Sequence, residues 1–144
     1  MNDISPHELA GSWKLIYIKT EIADTKEIVD VFGPDPLGYG VFTVDGRWIV
    51  IITASGLTEP DNDQQRAAVY NALGAYSGRY KLEGNQLTIK VDVASNPGAI
   101  GREQIRFAAL NGDRLVLTAP RDRLRRLQGR EGIGVVTWER ERVS

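Results

Sequence analysis

Three tight turns constrain this chain most. Asp45-Gly46, Glu83-Gly84-Asn85 and Asn111-Gly112-Asp113 each separate two short apolar-rich runs. Asp, Asn and Gly tolerate the positive φ that a two-residue hairpin turn needs at its centre. The flanking runs therefore pair as hairpins: 39–44 with 47–53, 77–82 with 86–93, and 103–110 with 114–118. Adding 13–18 at the front and 135–140 at the end gives eight candidate strands joined mostly to their sequence neighbours. Fifteen glycines, above the usual share of about 7%, fall mostly between these runs.

An up-and-down order of eight antiparallel strands can close into a barrel. Closure removes exposed sheet edges, and eight strands leave an interior that holds side chains or one small ligand. The expected fold is thus all-β, an eight-stranded antiparallel barrel. A β-sandwich is the alternative the strand count allows. Two helical segments interrupt the strands. Ser5-Pro6-His7-Glu8 carries a capping serine, a proline at the first helical position and a glutamate three residues after the cap, predicting a helical turn over 6–10. Asp61-x-x-Gln64 repeats the capping logic between the third and fourth strands. There Val69, Ala72, Leu73 and Tyr76 recur at helical spacing around Gly74, predicting a helix with an apolar underside. Such a helix covers one end of a barrel or bridges a long crossover.

The 144 residues, at net charge −1, fit one domain over 1–144 with a core that needs no staples. The absence of cysteine rules out disulfides, thiolate metal sites and a cysteine nucleophile. His7 is the lone histidine, which excludes a multi-histidine metal centre and argues against a Ser-His-Asp triad. Eighteen basic residues nearly cancel nineteen acidic ones, so no overall field draws in nucleic acid or an anionic membrane. The longest apolar run, 48–52, is too short to span a bilayer, and the first residues carry no basic-then-apolar leader. A cytoplasmic protein without membrane insertion is expected. Phosphate loops, dinucleotide fingerprints, hydrolase elbows and calcium loops are all missing from the sequence, and Gly38-Tyr39-Gly40 falls in a strand. No cofactor is expected.

Gly11-Ser12-Trp13 directly after a short helix resembles the Gly-x-Trp start of lipocalin-type barrels. Pro36-Leu37-Gly38-Tyr39-Gly40-Val41-Phe42, Asp45-Gly46-Arg47-Trp48, Tyr76-Ser77-Gly78-Arg79-Tyr80, Gln104-Ile105-Arg106-Phe107, Leu115-Val116-Leu117-Thr118 and Trp138-Glu139-Arg140 follow in order. Together they resemble the bacterial and fungal lipocalin-like domain family from about Leu9 to Arg140. The resemblance implies a barrel whose cavity takes a small, largely apolar molecule. It also implies a closed end where Arg140 lies over Trp13, a cation–π contact of about 1 kcal/mol. Some relatives of that family are thought to act as cyclases or isomerases. Relatives often carry a histidine in the strand matching 86–93, where this chain has Leu87-Thr88-Ile89-Lys90-Val91-Asp92, so no histidine role carries over.

Strand alternation groups the remaining candidates. Trp13, Leu15 and Tyr17 share one face. Leu87, Ile89, Val91 and Val93 oppose Thr88, Lys90 and Asp92, and Ile105 and Phe107 oppose Gln104 and Arg106. Either the aliphatic faces point inward, leaving Lys90, Asp92, Gln104 and Arg106 as a solvated ion ladder, or the register inverts and these charges enter the cavity. An inverted register leaves an apolar exterior for helices or a second subunit to cover, which admits a homodimer. The candidate ligand contacts are Tyr17, Phe42, Trp48, Tyr76, Tyr80, Gln104 and Trp138, with a gap for a flat ligand at Gly78 between Tyr76 and Tyr80. The segment 121–130 holds five arginines and one aspartate and reads as a solvated loop, as a rim for an anionic ligand or as a contact surface. Loop 21–35, the 61–75 helix and the arginine loop would gate the cavity. Three readings follow. One is binding of a small hydrophobic, conjugated or aromatic molecule. The second is a cofactor-free isomerase, cyclase or lyase, with Tyr80 or Tyr76 donating a proton and Lys90 or Arg106 stabilising negative charge. The third is a structural or interaction module with a filled core.

Overall fold

A computed structural model describes residues 3–142; Met1, Asn2, Val143 and Ser144, the ends of the expected domain, lie outside the described residues. The strands are β1 (Gly11–Ile22), β2 (Ile28–Val29), β3 (Leu37–Phe42), β4 (Arg47–Thr53), β5 (Leu73–Glu83), β6 (Gln86–Ala94), β7 (Glu103–Asn111), β8 (Arg114–Thr118), β9 (Asp122–Arg123) and β10 (Glu131–Arg140). All pairings are antiparallel. The order runs β1-β3-β4-β5-β6-β7-β8-β10, and β1 pairs with β10, so the sheet closes. The two-residue strands β2 and β9 are appendages of β1 and β10. The other eight form the barrel expected from the turns, and closure excludes the sandwich. Gly46, Gly84 and Gly112 all have positive φ, the conformation those hairpins require.

One end of the barrel is plugged. Helix α1 (Pro6–Leu9) starts with a full capping box on Ser5 and Glu8 and sends Leu9 into the core. The Trp13 indole donates to the Leu9 carbonyl at 2.9 Å, and the Arg140 guanidinium lies 4.3 Å from the Trp13 ring centroid. Arg140 also donates to the carbonyls of Ala10 and Glu8, covering acceptors that end the helix. Above this plug lie Phe42, Trp48, Tyr80, Leu87, Ile89, Leu115 and Trp138, all buried. Phe42 stacks on Trp48 at 4.1 Å between centroids, and Trp138 meets Trp48 edge-on at 5.7 Å.

Three expectations need correction. First, helix α2 is Asp63–Asn71, capped by Asn62, and it buries no residue. Leu73 and Tyr76, assigned to its apolar underside, start β5 instead. Their helical spacing coincides with strand alternation, and pairing of Leu73 with Thr53 and Tyr76 with Val50 wins. Second, β1 carries a bulge between Leu15 and Tyr17 against β10. The extra residue reverses the alternation, so Ile18 turns inward while Tyr17 is 42% exposed. Third, Lys90 and Arg106 do not share a face. Directly paired residues lie on the same side of a sheet, and Leu87 pairs with Arg106 while Ile89 pairs with Gln104. Leu87 and Ile89 are fully buried. Gln104 and Arg106 therefore point inward, and Lys90 and Asp92 point out. Neither arrangement foreseen for the four polar residues is found.

The outer face of β3 and β4 is apolar. Register sets Tyr39 beside Ile51 and Val41 beside Ile49, and all four are exposed. Among the described residues no helix is long and apolar enough to cross a membrane.

Candidate functional site

The aromatic layer fills only part of the barrel. Above Trp48 and Trp138, toward the end opposite α1, a cavity of about 290 Å³ remains. Its walls are Ile18 of β1, Val50 and Ile52 of β4, Leu117 of β8 and Val136 of β10. These positions follow from alternation: Val50 and Ile52 share the face of Trp48, and Ile18 joins them through the β1 bulge.

Polar groups enter this apolar chamber from β5, β7 and β10. The Tyr76 hydroxyl accepts a hydrogen bond from Trp48 Nε1 at 3.2 Å. Burial pushes the Tyr76 phenol above its ordinary range, opposed by the positive charge of Arg106 and by the Trp48 hydrogen bond. Arg106 donates to the Gln104 side-chain oxygen at 3.2 Å and to the Ile105 carbonyl at 2.8 Å. Trp138 Nε1 is fully buried and has no hydrogen-bond partner, alone in this respect among the described residues. A buried donor left so costs about 1–3 kcal/mol.

The mouth is lined by Phe32, by Gly74 and Ala75 of β5 and by Arg125 and Arg126 of the arginine loop, and helix α2, expected to gate it, contributes no lining residue. Phe32 comes from the loop after β2, and its ring tip would lie 3.0 Å from a Cβ added at Gly74. The Arg126 guanidinium stacks on Phe32 at 4.1 Å from the ring centroid. It also donates to the carbonyl of Asn71 and, at 2.8 Å, to that of Leu73. Arg126 thus ties the arginine loop to the end of α2 and lines the cavity beside Arg125. Burial, then the nearby Arg125 charge, lower its pKa. Other arginines of this loop pair outward, Arg121 with Glu131 at 2.9 Å and Arg130 with Asp24 at 3.1 Å.

The barrel wall is unpaired along one side of β7. Strand β8 ends at Thr118 opposite Phe107, so residues 103–106 of β7 pair with β6 alone. A polar cleft of about 420 Å³ lies over this gap and shares Asn96, Ala99, Gln104 and Arg106 with the inner cavity.

Of the sequence candidates, the structure brings Trp48, Tyr76, Gln104, Arg106 and Trp138 together around the cavity. It does not bring Tyr17, Phe42, Tyr80 or Lys90 there. Tyr17 is outside because of the bulge. Phe42 lies in the plugged half, stacked under Trp48. Tyr80 packs edge-on to Phe42 at 5.2 Å, and its hydroxyl donates to the Thr43 carbonyl at 2.6 Å, so its proton is already engaged. Lys90 is on the outer surface. The gap expected at Gly78 does not exist, since a Cβ there would meet Ile89 Cγ2 at 2.8 Å and the Lys90 carbonyl oxygen at 2.4 Å. Sequence reading missed Phe32 and singled out no one arginine of the loop. The concentration of arginines was the available signal for Arg126, and nothing local marks Phe32.

Among the described residues no group of three or more His, Cys, Asp or Glu could hold a metal ion. No curated protein matches the chain. A family model described as a lipocalin-like domain matches residues 10–141, which takes in every strand from β1 to β10. A closed eight-stranded barrel, plugged at one end by Trp13 and Arg140 and hollow at the other, is compatible with small-molecule binding. The chain belongs to the lipocalin-like domain family.

Proposed function

We propose that the protein binds a small hydrophobic molecule, aromatic or conjugated, inside the barrel. The observation that carries this is the cavity of about 290 Å³ left above a floor of two tryptophans in an otherwise packed core. Protein interiors ordinarily leave few voids larger than a water molecule, and this one holds on the order of ten waters' volume. Aliphatic walls and aromatic floor suit a flat apolar guest, and Tyr76, Gln104 and Arg106 supply the few polar groups that fix orientation. Native mass spectrometry of protein purified from its own cells tests the reading. A retained apolar ligand, or uptake of a hydrophobic dye, supports it; a clean apo mass with no uptake overturns it.

One observation favours a second reading, a cofactor-free isomerase, cyclase or lyase on the same scaffold. Tyr76 keeps its proton in a chamber that it shares with the Arg106 charge, a pair suited to donate a proton and to stabilise developing negative charge. If so, Tyr76→Phe lowers turnover of a candidate substrate while leaving its affinity within a few fold. Unchanged turnover removes Tyr76 from the chemistry. We further propose that the protein is cytoplasmic and forms a homodimer. The apolar outer face of Tyr39, Val41, Ile49 and Ile51 supports the dimer, and a sedimentation-velocity monomer at tens of micromolar would contradict it.

A further inference from the structure

Resting on the binding reading above, we infer that the guest is a hydrophobic acid bound as its anion, with its oxyanion at Arg106. Charge complementarity carries the inference. Three arginines, Arg106, Arg125 and Arg126, line the cavity and no aspartate or glutamate does, in a chain whose net charge is −1. None of the ion pairs among the described residues includes any of the three. Arg126 is engaged by backbone carbonyls and by Phe32. Arg106 is different. It uses two of its five N–H groups, faces inward from β7, and forms no ion pair, the carboxylates Glu103 and Asp122 lining the outer cleft and not the cavity.

Arg106 therefore leaves N–H donors unspent at the cavity wall, and the molecule that fits brings acceptor oxygens. Arg106 lines both the cavity and the polar cleft over residues 103–106, so its charge stays partly hydrated. The apolar body of the guest then lies against Val50, Ile52, Leu117 and Val136. Desolvating a lone anion in the barrel centre would be prohibitive; pairing it with an arginine offsets that cost.

The test compares trans-cinnamate with its neutral isostere cinnamamide and with styrene, which has no head group, by calorimetry. The wild type is expected to bind cinnamate at least about tenfold tighter than cinnamamide. Arg106→Gln should cut that preference to within about threefold by weakening cinnamate binding more than cinnamamide binding. Folding of the variant is checked by circular dichroism, and the cinnamate preference of the unmodified protein is a readout that needs no variant. Equal or reversed preference in the wild type, or a preference that survives Arg106→Gln, overturns the inference. Styrene binding without the cinnamate preference overturns the acid alone and keeps the hydrophobic cavity. Binding of none of the three probes overturns both.

Discussion

The floor of the cavity depends on a missing methyl group, and replacing it gives a prediction with a definite size. Gly40 faces inward on β3, and a Cβ built there would lie 2.2 Å from Cη2 and 2.6 Å from Cζ3 of Trp48. Its backbone is ordinary strand, so alanine brings no φ strain and the effect of Gly40→Ala is packing alone. Trp48 is pinned between Phe42 and Trp138 and bound to the Tyr76 hydroxyl, so the indole must be pushed up into the cavity. Overpacking of this kind costs about 1–3 kcal/mol, and losing the Trp48–Tyr76 hydrogen bond adds about 0.5–1.5 kcal/mol. The expected loss is about 2–4 kcal/mol. With a urea dependence near 2 kcal/mol/M, the midpoint falls by about 1–2 M. Tryptophan fluorescence in urea measures it. Trp48→Phe removes the clashing ring, so in a double-mutant cycle Gly40→Ala and Trp48→Phe should couple by at least about 1 kcal/mol. A Gly40→Ala loss under about 0.5 kcal/mol, or strict additivity, would refute the placement of Trp48 as the floor.

Three other predictions concern the walls and mouth. Tyr76→Phe strips Trp48 Nε1 of its acceptor and should cost about 1–2 kcal/mol; in a spectrophotometric titration it should also reduce the phenol ionisation occurring above the ordinary range, to which both Tyr76 and Tyr80 contribute because burial raises their pKa values. A late component of undiminished amplitude would contradict the assignment. Hydrogen bonds from Arg47 and Ser77 lower the Asp92 pKa, so the carboxylate's contribution is present above the ordinary carboxylate value and is lost as pH falls through the lowered one. The stability gap between wild type and Asp92→Asn should accordingly shrink on acidification, and a gap independent of pH would refute it. Arg126→Ala releases the arginine loop from α2 and from Phe32, so a bound hydrophobic dye should dissociate several-fold faster by stopped flow; an unchanged off-rate would remove Arg126 from the gate.

The barrel was legible because its information is local. Asp45-Gly46, Gly84-Asn85 and Asn111-Gly112 each define one hairpin, and adjacent hairpins in a meander leave little choice of strand order. The Ser5-to-Glu8 box and the Trp13–Arg140 contact also rest on short motifs. The site was less legible because it depends on where alternation slips and on which residues face each other across strands. The bulge in β1 expelled Tyr17 and admitted Ile18, and no residue type announces it. The facing of Gln104 and Arg106 was undecidable from β7 alone, since Ile105 and Phe107 make the opposite face look like the core. Only pairing with Leu87 and Ile89 resolves it. Tyr76 illustrates a third cause: its spacing from Val69 and Leu73 satisfies a helix, but the β4 partner Val50 offers a full ladder of sheet hydrogen bonds.

Xenon is the most direct probe of the hollow itself, since it occupies apolar cavities without needing a head group or a cognate shape. In crystals held under xenon pressure, a closed and vacant barrel predicts an anomalous peak among Val50, Ile52, Leu117 and Val136, above Trp48 and Trp138. Side chains filling that volume, with xenon absent from it, would contradict the cavity on which the binding function depends.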